Sequence, residues 1–144
     1  MVKKKTPPPR DRLDEELPGL AAGLPLADID QALRDLADPS LVTHYRAQRF
    51  FLAMGGRALP ILGGLLGGDA WGPLEEAAVE VLKHLGDPAA APLLGEGMRS
   101  SLAARRLCCL RGLRWLMQEP GPYLEALGDE DWRVRQEALF ALGG

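Results

Sequence analysis

From residue 28 onward, apolar positions recur at three- and four-residue intervals, the spacing that lines one face of an α-helix. Ile29, Ala32, Leu33 and Leu36 form the first such face, with Asp28 placed to cap it. Asp38-Pro39-Ser40 interrupts the pattern, and Ala47, Phe50, Phe51 and Met54 resume it until Gly55-Gly56. These two stretches predict a helical hairpin. A third helix is predicted over 57–66, short and weakened by Gly63 and Gly64. After a turn at Asp69, Pro73 suits the first turn of a fourth helix. Its stripe is Leu74, Ala77, Ala78, Val81 and Leu85, and Gly86 stops it. Asp87-Pro88 opens a fifth helix reaching about residue 99, and Ser100 or Ser101 caps a sixth carrying Leu102, Cys109, Leu113 and Leu116. A connector over 118–121 leads to a short seventh helix, 122–127, and an eighth, 131–142.

The pattern repeats at a longer period. Pro60-Ile61-Leu62, Pro92-Leu93-Leu94 and Pro122-Tyr123-Leu124 are offset by 32 and 30 residues. A small position (Ala78, Cys108, Ala138) and, four later, a closing position (Leu82, Gly112, Leu142) follow in register. Such self-similarity marks a stacked-repeat array. Two stretches carry a closer resemblance. One runs Leu82-Lys83-His84-Leu85-Gly86-Asp87-Pro88 through Leu94; the other is Asp129 followed by Val134-Arg135, Ala138 and Leu142-Gly143. Over residues 27–144 the chain resembles the HEAT-repeat family, in particular its short bacterial form named after phycobilisome lyases. That resemblance implies an all-α fold, a short right-handed α-solenoid of about four hairpins, with second helices lining a concave face. It also implies scaffolding or partner binding, and only occasionally enzymology. The family's inter-helix Asp and second-helix Arg often form a ladder. Here only Asp129 and Arg135 match it; the equivalent pairs are Asp69 with Glu75 and Arg99 with Arg105.

Residues 1–26 stand outside the period. Lys3-Lys4-Lys5 and Pro7-Pro8-Pro9 predict a solvated, extended leader, either a plain tail or a partner-binding arm. Of 17 basic and 20 acidic groups, five bases and Asp11 fall in residues 1–12, leaving 12 and 19, a formal −7 for the remainder. An acidic body argues against nucleic acid as the general partner. No apolar run follows the lysines, so no signal peptide is expected, and the apolar run 58–68 is too short to span a membrane. Two adjacent cysteines, Cys108 and Cys109, provide no disulfide framework, which fits a reducing cytoplasm.

Candidate chemistry is sparse. His44 and His84 lack ligands at metal spacing, and no nucleophile triad, phosphate loop or dinucleotide fingerprint occurs, so neither a cofactor nor a metal nor a catalytic residue is expected. Arg105, Arg106, Arg111 and Arg114 do not form one stripe, which weakens phosphate tracking. Trp71 and Trp132 sit at turns before second helices; each either plugs a gap between repeats or, with Arg133, anchors a partner. The last helix spreads its apolar residues over more than one face, leaving Leu139 or Phe140 for self-association or a partner. The reading is therefore a cytoplasmic, non-catalytic protein–protein interaction module or adaptor. The alternatives are a nucleic-acid binder and an enzyme or chromophore-lyase subunit, the latter resting on Cys108, Cys109 and the histidines.

Overall fold

The computed structural model describes residues 26–68, 70–116 and 119–143. They are helical, with no strand among the described residues. The expected leader, 1–26, lies outside them except for Leu26, which already begins the first helix. Asp28 is therefore not its cap but an acid in its first turn, favourable to the helix dipole. Contacts divide the chain into two units, Met1–Ala58 and Leu59–Gly144.

The first unit contains helix α1 (Leu26–Leu36) packed on α2 (Leu41–Met54). Ala32 and Leu36 of α1 and Ala47, Phe51 and Met54 of α2 are buried. The Asp38 carboxylate accepts the Ser40 N–H at 2.7 Å and shapes the break, and His44 Nδ1 lies 2.8 Å from the Leu36 carbonyl. Gly55, at φ +60°, ends α2, and a 3-10 turn (Gly55–Arg57) follows. The run Leu41–Leu66 is 26 residues long and, by length and composition alone, apolar enough to cross a membrane; a third of its most apolar window is buried.

The second unit holds α3 (Ala58–Leu66), α4 (Pro73–Leu85), a 3-10 turn (Pro88–Ala90) continued by α5 (Ala91–Gly97), α6 (Ala103–Leu113), α7 (Gly121–Ala126) and α8 (Trp132–Gly143). Local signals explain the boundaries. Pro73 fills the first turn of α4, where its missing N–H costs nothing. The Glu75 carboxylate reaches back to the Gly72 N–H at 2.8 Å, and Gly86 terminates α4 at φ +68°, which few other residues tolerate. Asp87 accepts the Ala89 N–H at 2.9 Å, so Asp87-Pro88 starts a 3-10 turn before α5. The sixth helix departs from expectation: Leu102 is its N-cap residue, and Ser100 Oγ accepts the Leu102 N–H instead of capping the helix.

Helix α5 packs on α6 and α7 on α8, while α4, α6 and α8 contact one another in sequence order. Helix α6 thus has three neighbours. Glycine allows two of the approaches: a Cβ at Gly97 would lie 2.2 Å from Cys109 Sγ, and one at Gly112 would lie 2.8 Å from Val79. The core is built from Leu62, Leu82, Leu94, Leu110, Leu113, Val134 and Ala138. Each buried leucine contributes about 1.5–3 kcal/mol. Of the three small positions at thirty-residue offset, Ala78 and Ala138 are fully buried, and the pattern differs at the middle one. There Cys109 takes the buried position and Cys108 is half-buried, because Cys109 points at Gly97.

Candidate protein-interaction face

The arginines of α6 and Arg114, which caps its C-terminus, are occupied within the fold. The Arg105 guanidinium lies 5.6 Å over the Trp71 ring and donates to the carbonyls of Gly68, at 2.9 Å, and Leu66. Arg106 donates to both carboxylate oxygens of Asp129, at 2.8 and 2.9 Å, and to the Ser100 carbonyl. Arg111 and Arg114 converge on the buried Glu137 of α8, at 3.1 and 3.0 Å. The Tyr123 hydroxyl donates to the Leu113 carbonyl at 3.0 Å. Sequence spacing had separated these arginines onto different sides of α6. The structure shows why: one reaches backward to the loop before α4, and three reach forward to the last hairpin.

The expected Asp129–Arg135 ladder takes a different form. Arg135 donates to the backbone carbonyl of Asp129 at 2.7 Å, whereas the Asp129 carboxylate belongs to Arg106. The reason is geometric. The Asp129 side chain also accepts the Asp131 N–H at 2.8 Å, which fixes it toward the preceding hairpin. The Arg106 hydrogen bonds hold the Asp129 carboxyl below its ordinary 3.8 and raise the guanidinium above its own ordinary value. A lowered carboxyl contributes stability that is complete above pH 3.8 and is lost as pH falls through its folded value. Asp129→Asn is therefore expected to cost about 2 kcal/mol near neutrality. Its melting temperature should approach that of the wild type as pH falls below 3.8. A gap that stays constant on acidification would show that the pair contributes nothing.

The outer face of α8 exposes large apolar side chains among Arg133, Arg135 and Gln136: Trp132, Leu139 and Phe140 are 61%, 60% and 54% exposed, and Leu142 joins them. The equivalent positions thirty residues earlier, Cys109, Leu110 and Gly112, are buried, as are Val79 and Leu82 another thirty back. The exception is Trp132, whose equivalent Leu102 is also exposed; the change from buried to open is thus confined to Leu139, Phe140 and Leu142. Arg133 at the start of this helix pairs with Asp131 at 3.0 Å, which pulls the Asp131 carboxyl down to about 2. Leu124 of α7 is also exposed.

The tryptophans separate. Trp71 is half-buried beneath Arg105 and its indole N–H is unpartnered, so it is enclosed within its turn rather than exposed there. Trp132 is exposed at the head of α8, and Trp115, in the turn that follows α6, is the most exposed of the three, with Lys83 5.1 Å over its ring. The thiols are protonated at neutral pH: burial pushes Cys108 up to about 12 and Cys109 up to about 11. His44 and His84 each contact a backbone carbonyl, and no metal-ligating cluster occurs among the described residues.

A cleft of about 570 Å³ lies between α5 and α7, lined among others by Pro92, Glu96, Arg99, Pro122, Glu125 and Asp129. Its walls come from equivalent positions of successive hairpins, Pro92 with Pro122 and Arg99 with Asp129, each thirty apart. The repeat offset was the signal for it in the sequence, but an offset gives no spacing between helices. Compared with protein-family models and with curated proteins, the sequence matches none.

Proposed function

We propose that this chain is a non-catalytic interaction module or adaptor, a short right-handed α-solenoid of the HEAT/armadillo kind that binds a protein partner in the cytoplasm. The order of helix contacts supports the repeat reading: second helices α4, α6 and α8 stack in sequence, and first helices α5 and α7 pack on their own second helices. One observation carries the functional reading. Helix α8 exposes Trp132, and it exposes Leu139 and Phe140 at positions whose equivalents elsewhere include buried core residues. Exposed apolar area with aromatic anchors and an adjacent arginine is the composition of an interface centre. Nucleic-acid binding has less support, because the α6 arginines are committed to Asp129, Glu137 and backbone carbonyls.

The test is affinity capture from lysate of the source cells with wild type, Leu139→Lys and Phe140→Lys. The expected result is a protein retained by the wild type and lost, tenfold or more, by both variants while their circular dichroism is unchanged. A partner held equally by all three proteins would overturn the assignment to α8. Salt-sensitive retention of RNA or DNA instead would favour the nucleic-acid reading.

A further inference from the structure

We draw no further inference here: the strongest candidate, the cleft between α5 and α7 with Glu96, Arg99, Glu125 and Asp129 in its walls, has its Glu96 and Asp129 carboxylates already paired with Arg99 and Arg106, and nothing in the structure shows what would occupy it.

Discussion

Ala138→Asp is expected to destabilise the fold by about 3 kcal/mol or more. Ala138 has no exposed surface, and α8 packs on both α6 and α7. A carboxylate there loses its water and gains no cation. The guanidinium groups of Arg111 and Arg114 are already held by Glu137, whose own charge would oppose a second carboxylate one residue away. Against a total stability of about 5–15 kcal/mol for a small domain, this is a large fraction. Arg133→Ala, at an exposed ion pair at the start of the same helix, should leave the unfolding midpoint nearly unchanged. Urea unfolding followed by circular dichroism compares the two. Equal midpoints would mean that the core face of α8 is misplaced.

Gly97→Ala is the second large effect, at about 2–3 kcal/mol. The new methyl would sit 2.2 Å from Cys109 Sγ and 3.2 Å from its Cβ. Cys109 is fully buried on the central helix α6, so its sulfur cannot turn into solvent. Removing the sulfur should therefore relieve most of the strain. Cys109→Ala in the Gly97→Ala background should recover at least about 1 kcal/mol relative to the sum of the single changes. Gly95→Ala is the contrast: open space surrounds that position, and the helix should gain up to about 1 kcal/mol from the better helix former. A Gly97→Ala protein as stable as Gly95→Ala would show that α5 does not approach α6 this closely.

Both predictions combine facts of different origin. Burial of Ala138 follows from its place in the repeat, and three- and four-residue spacing alone located the helices that became α2, α4 and α8 to within a few residues. Turn chemistry was equally legible: Gly55 and Gly86 stop helices, and Pro73 and Asp87 start them. Exposure of Leu139 or Phe140 is legible because one helix cannot turn every apolar side chain to the same core; the structure exposes both. The caps at Asp28 and Ser100 were less legible. Cap preference depends on where the first helical turn begins, and side chains two residues apart compete for it.

Periodicity is a local property of a chain, fixed by backbone geometry, so the sequence by itself determined the helices, their inward faces and their approximate order. Partnership between distant side chains is not local. Arg106 meets Asp129, Arg111 and Arg114 meet Glu137, and Arg105 covers Trp71 across 23 to 34 residues of chain. Nothing in the spacing of arginines along α6 distinguishes a cation that faces solvent from one that closes a neighbouring hairpin. The distance and rotation between packed helices make that difference. The close seats at Gly97 and Gly112 help set both, by letting α6 approach α5 and α4 more nearly than any Cβ would allow. Only the tertiary structure decided that Trp71 is enclosed while Trp115 and Trp132 are exposed, because that outcome depends on which arginine arrives over which ring.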